Sequence, residues 1–273
     1  RKVAGIVGEG LIGVGAMAWA GLNPAPPSPF NVRIGPHRRF TWVTGDLATF
    51  KAVKNATGGT VNDVILTVVA GSLGRYMRLH GHPTDDVVLK AMVPVSIRAD
   101  VDRGALGNQV SAMWAPLPVG MTDPIQRLLK IRREMQGIKD SGQAVGAQVL
   151  TSLSGFAPPT IVAQATRLQS RQRFFNVVVT NVPGPQFPLY MLGRRLESVF
   201  PLVPLAKNTA LGIAIMSYDG QLNFGLTADF DALQDVEVLA EEIKSSIEEI
   251  AAAAIVPEVS PTRTTAGAVG TAE

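Results

Sequence analysis

With 273 residues and no cysteine, the chain is long enough for one large domain or two small ones, and disulfides, thiolate metal sites and a Cys nucleophile are excluded. Hydrophobic residues make up 46% and charged residues 17%, a balance that rules out disorder over most of the length and suits an apolar partner or ligand. The net charge of +3 is too small to argue for nucleic acid. Local arginine pairs such as Arg132-Arg133 and Arg194-Arg195 read first as solvated faces.

The chain opens at Arg1 rather than Met, which reads as residues missing upstream. Gly8-Glu9-Gly10-Leu11-Ile12-Gly13 follows a strand-like run and imitates a loop that cradles a dinucleotide pyrophosphate. No Asp or Glu stands between Glu9 and Asp46 to hold a ribose, so a dinucleotide-binding protein using Gly8, Gly10 and Gly13 is the weakest of the functional readings. A signal peptide or a membrane span is disfavoured by Glu9 and the many glycines. Residues 1–22 read as the apolar, Gly-rich end of a preceding lobe. Residues 23–38 follow as a Pro-rich linker held extended by its prolines.

Residues 39–256 then form one lobe. A short strand is expected over 39–43, and Asp46 is placed to cap a helix. Thr60-Val61-Asn62-Asp63 has the spacing of a capped helix start, and residues 64–76 are apolar on almost every side, which demands a helix buried all round. Asn62 and Asp63 read as residues that bond the free amides of that start or hold a neighbouring loop. His80-Gly81-His82 with Asp85-Asp86 is a polar turn rather than a metal site, and His37 has no partner at a catalytic spacing.

Strands are expected over 87–95 and 107–118. The spacing of Ile125, Leu128, Leu129, Ile131, Met135 and Ile138 predicts an amphipathic helix with Arg127, Lys130, Arg132 and Arg133 on or near its wet side. Two further helices are expected over 144–156 and 159–169. The run Val177-Val178-Val179 reads as a central strand covered on both faces. It is expected to stop on Asn181-Val182-Pro183-Gly184-Pro185, where two prolines remove donors and Gly184 permits a positive φ. Residues 196–200 and 209–217 read as further strands, Asp219-Gly220 as a tight hairpin turn, and 222–230 as its return strand. A last helix carries Val236, Leu239, Ile243, Ile247 and Ile250 on one stripe, and residues 257–273 read as a disordered tail.

Asn62-Asp63-Val64-Ile65-Leu66, Pro94-Val95-Ser96-Ile97-Arg98, Gly107-Asn108-Gln109-Val110, Asn181-Val182-Pro183-Gly184-Pro185 and Pro201-Leu202-Val203-Pro204, in this order, resemble the C-terminal half of the bacterial wax ester synthase/diacylglycerol acyltransferase family. The resemblance implies an α/β fold of the α+β type, a chloramphenicol-acetyltransferase-like lobe with a mixed sheet and flanking helices. It implies acyl transfer from acyl-CoA, as co-substrate and with no cofactor, to diacylglycerol or a long-chain alcohol. It also implies a cytoplasmic location, peripheral to the inner membrane or lipid bodies, and a partner lobe N-terminal to this one. Members of the family carry a His-His-x-x-x-Asp-Gly motif whose second histidine acts as general base, and no such string occurs in this chain. No catalytic residue is therefore assigned. Asn62, Asp63, Asn181, Pro183 and Gly184 are the candidates for a substrate tunnel or lobe interface, and a non-catalytic lipid- or partner-binding module derived from the fold is the alternative.

Overall fold

The computed structural model of the chain describes residues 24–96, 110–140 and 173–254. The glycine loop of the first residues, Ile97-Arg98, Gly107-Asn108-Gln109, the helices expected over 144–156 and 159–169 and the tail lie outside the described residues.

Among the described residues, six strands form one mixed sheet in the order β1-β8-β7-β4-β2-β3. They are β1 (Arg38–Asp46), β2 (Val88–Ser96), β3 (Val110–Pro118), β4 (Val177–Pro183), β7 (Leu211–Tyr218) and β8 (Gln221–Asp229). A separate hairpin joins β5 (Tyr190–Met191) to β6 (Arg194–Arg195). β2, β4 and β7 run parallel, while β3 and β8 are antiparallel to their neighbours. Among the described residues four helices, α1 (Leu47–Thr57), α2 (Val61–Leu79), α3 (Pro124–Asp140) and α4 (Val236–Ala254), pack over one face. Their buried stripes meet Val43, Leu89, Ala91, Met113, Val177, Val179, Ile213, Ile215 and Phe224 in a single core. Each fully buried apolar side chain of this kind stabilises the fold by about 1.5–3 kcal/mol.

α2 is the hub of the helix layer, buried at almost every position from Asp63 to Met77, as its uniformly apolar sequence requires. Thr60 and Asp63 close a reciprocal capping box at its start. Asp46 accepts from the Ala48 amide at 3.0 Å and so caps α1. Asp219 and Gly220 both take positive φ (43° and 80°), as a two-residue hairpin between right-twisted strands requires.

β4 ends on Pro183, within the Asn181–Pro185 stretch where its stop is expected: Asn181, Val182 and Pro183 still pair with Ile215, Met216 and Ser217, and proline is tolerated because it stands last in the strand. Two local expectations are corrected. Gly184 is not among the residues with positive φ; a Cβ there would lie 2.2 Å from the Ser217 carbonyl oxygen, so the glycine is required by close backbone approach. Residues 196–200 form no strand; the chain passes from the β5–β6 hairpin into an irregular segment that crosses the sheet face opposite the helices, its Pro201 carbonyl against Gly225 and its Val203 against Gly212.

The Pro-rich segment is docked on the lobe. Phe30 is wholly buried, and Asn176, buried at the head of β4, ties the segment to the sheet. Its Nδ2 donates to the Pro26 carbonyl (2.8 Å), Ser28 Oγ (3.1 Å) and Asn31 Oδ1 (2.6 Å), while its Oδ1 accepts from the Lys90 amide (2.8 Å). Asn176→Ala strands several of these buried groups, each of which costs roughly 1–3 kcal/mol when unpaired. A loss of about 3 kcal/mol in urea denaturation is expected, with Asn176→Asp recovering only the Lys90 bond.

Candidate functional site

The position of α2 defines the edge that matters. Its C-terminal end is clamped by Asp235, which accepts from Tyr76 Oη at 2.7 Å and meets His80 Nε2 at 2.7 Å. Asp235 follows β8, whose last residue, Asp229, bonds Ala210 just before β7 begins. That end of α2 therefore lies toward the edge of the sheet at which β7 begins. Nineteen residues at 1.5 Å carry the helix roughly 28 Å, about the length of a nine-residue strand. The N-terminus of α2, with Asn62 in its first turn, stands over the edge where the parallel strands β2, β4 and β7 end. Ligands of open α/β sheets bind at this carboxyl edge.

The edge is also where the sheet opens. β2 and β4 are paired only at Ala91–Val177 and Met92–Val178; beyond these residues the two strands share no ladder, leaving a notch bordered by Val93 and Pro94 on one side and Val179 to Pro183 on the other. Asn181 continues the helix-facing alternation of Val177 and Val179 and is half-buried, whereas Val182 is 50% exposed on the opposite face. The side-chain amides of Asn62 and Asn181 make no hydrogen bond to the described residues, although both are partly withdrawn from water. An amide such as that of Asn181, without a partner among the described residues and beside this notch, is a group able to orient a polar end of a largely apolar ligand.

The remaining candidates have structural work. One oxygen of Asp63 accepts from both the amide and the hydroxyl of Thr60 at 2.8 Å, and the residue is buried as the helix cap. Pro183 ends β4, and Gly184 lets the loop approach β7, its amide donating to Ser217 Oγ at 3.2 Å. Gln186 donates to the same hydroxyl at 3.0 Å and accepts from the Gly220 amide at 3.2 Å, locking the loop onto the β7–β8 turn. Ser217 and Gln186 carried no recognisable motif, and only the adjacency of the two elements in space reveals them. Surface depressions of about 260 and 670 Å³ lie along α3, the first lined by Met121, Gln126, Leu129 and Lys130, the second by Leu129, Arg132 and Gln136. Their lining residues include none of the five candidates.

His80 belongs to the opposite end of α2 and forms a clamp. Its Nδ1 bond to the Tyr76 carbonyl (2.8 Å) is the main influence raising its pKa above the ordinary 6.5; burial opposes this and the Asp235 carboxylate adds to it. Burial of Asp235 works against its ionisation, but hydrogen bonds from Tyr76 and His80 outweigh it and hold the carboxyl below its usual range. The His80 contribution is thus fully present below pH 6.5 and fades as pH rises through the raised value; that of Asp235 is present above its usual 3.8 and is lost as pH falls through the lowered one. The melting temperature of the wild type should therefore fall between about pH 6 and pH 8 by a degree or two more than that of His80→Gln. Equal slopes would remove the clamp from the account. Among the described residues no group of three or more His, Cys, Asp or Glu is placed to hold a metal, and no helix is long and apolar enough to cross a membrane.

A mixed sheet backed by helices on one face and notched at the carboxyl edge of its parallel strands defines a chloramphenicol-acetyltransferase-like lobe. The comparisons agree. A family profile described as the WS/DGAT C-terminal domain matches residues 106–251, and one described as the wax ester synthase/diacylglycerol acyltransferase catalytic domain matches residues 8–65, running through the Pro-rich segment into α2. The chain belongs to the wax ester synthase/diacylglycerol acyltransferase family. A Mycobacterium tuberculosis protein named as a diacylglycerol O-acyltransferase is 35% identical over 231 residues, covering 83% of this chain and 46% of its own. A second from the same organism, similarly named, is 32% identical over 252 residues, covering 92% and 54%. The solved wax ester synthase/diacylglycerol acyltransferase of Marinobacter aquaeolei VT8 superposes with a TM-score of 0.66 at 28% identity, over 91% of this chain and 57% of that one. The epimerization domain from the third module of tyrocidine synthetase B shares the fold alone, at 14% identity and a TM-score of 0.59. The chain spans about half the length of the curated relatives it matches.

Proposed function

We propose that the chain is the C-terminal lobe of an O-acyltransferase that moves a fatty acyl group from acyl-CoA to diacylglycerol or a long-chain alcohol. Family membership supports acyl transfer, and the observation that carries the assignment of a site is the carboxyl edge of β2, β4 and β7. There Asn181, whose amide makes no hydrogen bond to the described residues, borders the stretch where β2 and β4 are unpaired, and Asn62 stands in the first turn of α2. In this reading the notch forms one wall of the substrate tunnel and the amide of Asn181 orients the polar end of an apolar substrate. The acceptor hydroxyl attacks the thioester carbonyl, loses its proton to a base, and the CoA thiolate leaves and is protonated.

The base is the part this chain does not supply. Its three histidines are His37, His80 and His82, none within the family's His-His-x-x-x-Asp-Gly string. A positioned base contributes roughly 10²–10⁴-fold, so the chain by itself should esterify at a rate close to background. Co-expression with the half of the M. tuberculosis relative that lies outside the match tests the reading. Free CoA should be released from palmitoyl-CoA and diacylglycerol only when both halves are present. A purified two-part complex that releases no CoA above either half alone would refute it.

A further inference from the structure

The two edges of the six-stranded sheet are built differently. β3, at one edge, carries Pro116 and Pro118. Lys90, opposite Pro116, turns its amide and carbonyl toward Asn176 on the other side of β2, so both prolines stand on the outward side of β3 and remove donors from that edge. β1, at the other edge, has no such device. Its nine residues keep an unbroken register with β8, without proline or bulge. Tyr218 and Gln221 close a two-residue turn and are therefore a hydrogen-bonded pair. Alternation across β8 then points the amides and carbonyls of Phe40, Trp42 and Thr44 away from the sheet. Among the described residues none of these backbone groups has a partner. The same residues hold their side chains on the face opposite the helices, where Phe40 is exposed and Trp42 is 54% exposed. An open, regular edge with an exposed aromatic row is a template for another strand.

We propose that β1 is a homodimer interface, in which the β1 strands of two copies pair antiparallel about a two-fold axis at Trp42 and join the two sheets into one. The occupant follows from self-complementarity. With Trp42 opposite itself, Phe40 faces Thr44 of the second copy and Arg38 faces Asp46, and each of these residues is one whose backbone points outward. Opposite charges thus meet at both ends of the paired strands, on the same face as the aromatic row. A register shifted by two residues would set Arg38 against Thr44, or Asp46 against Phe40, and lose the match. Both charges are available for it. Arg38 makes its contacts with Gly35, His37 and Asp229 through Nη1 alone, and Asp46 is exposed while it caps α1. A closed two-fold pairing of this kind covers Trp42 and removes the open edge without leaving a new one. The inference is independent of the reaction proposed above.

Sedimentation of the full 273-residue chain, as wild type, as Arg38→Glu and as Asp46→Lys, tests the pairing. The wild type should form a dimer, and each variant alone should self-associate about tenfold more weakly, because like charges then face each other at both ends. An equimolar mixture of the two variants should recover a dimer of wild-type affinity, since residue 38 of each chain again meets an opposite charge at residue 46 of the other. The mixture separates pairing from folding: Arg38→Glu loses its tie to Asp229 and Asp46→Lys loses the cap of α1, and neither loss is mended by adding the other chain. A wild type that stays monomeric would overturn the proposal, and so would a dimer indifferent to both variants or one that the mixture fails to restore. Flotation of a monomeric wild type with phosphatidylglycerol vesicles would assign the aromatic row to lipid and overturn it as well.

Discussion

Gly225→Ala is expected to destabilise the lobe by more than about 3 kcal/mol and to lift the crossing segment from the sheet. A Cβ at this position would stand 1.9 Å from the Pro201 carbonyl oxygen and 3.1 Å from the Phe40 ring. Neither neighbour is the free end of a flexible chain: Pro201 is backbone, and Phe40 is stacked with Trp42, which in turn packs on Phe200 at 5.3 Å between ring centroids. The fluorescence of Trp42 should therefore report detachment of residues 199–206 before global unfolding. Gly137→Ala supplies the opposite sign. That glycine lies exposed within α3 with nothing within 4 Å of an added Cβ, and removing its backbone freedom should stabilise the helix by about 0.5–1 kcal/mol. If the two substitutions cost the same, the close crossing of the sheet by Pro201 is wrong.

Arg127→Ala should cost about 3 kcal/mol or more, and Arg127→Met much less. The side chain is 1% exposed and lies between α2 and α4, where Nη1 donates to the Met121 carbonyl at 2.8 Å and Nη2 to Glu249 at 2.9 Å while Nε finds no partner. Burial pulls its pKa down, and Glu249 opposes the shift. Truncation empties the space and takes one partner from Glu249, although Arg75, which also bonds Glu242 and Ser246, still holds that carboxylate at 3.0 Å. Methionine fills the same volume without an unpaired donor, and such apolar replacements of buried ions are often neutral. Gly71 is the counterpart of this arrangement, since a Cβ there would lie 2.6 Å from Arg127 Nη2. Urea denaturation of the two Arg127 variants decides the matter: equal, large losses would mean that the charge itself is needed.

Arg127 marks where sequence reasoning stops. Helical spacing assigned it to the wet side of α3 together with Lys130, Arg132 and Arg133, and periodicity is a statement about one helix in isolation. α3 packs against both α2 and α4, so its apolar stripe is wider than the spacing of its aliphatic residues, and the arginine is caught inside it. The glycines at 184 and 225 were opaque for a related reason. Their neighbours are Ser217 and Pro201, tens of residues away in sequence, so the need for glycine exists only once the strands are assembled. Asn176 likewise reads as one polar residue before a valine run until the Pro-rich segment is seen packed on it.

What was legible rests on local physics. The uniformly apolar α2, the Thr60–Asp63 cap, the valine strand and the Asp219–Gly220 turn each follow from short-range rules, and the structure contains all four. The candidate site is intermediate. Asn62 and Asn181 were singled out by motif, yet what brings them to one edge is the length of α2 and the parallel order of β2, β4 and β7, neither of which a motif records. Asp63 shows the limit of that approach, because the same motif that marks the site also contains the residue that caps the helix.

The central claim is that this carboxyl edge faces the substrate, and CoA release by the assembled two-part enzyme tests it most directly. With the complementary half present, Asn181→Leu should lower turnover at least tenfold while leaving the melting temperature within a few degrees of wild type, and His80→Gln, at the far end of α2, should leave turnover unchanged. Turnover that is indifferent to Asn181→Leu in a correctly assembled complex, or as sensitive to His80→Gln, would contradict the placement of the site.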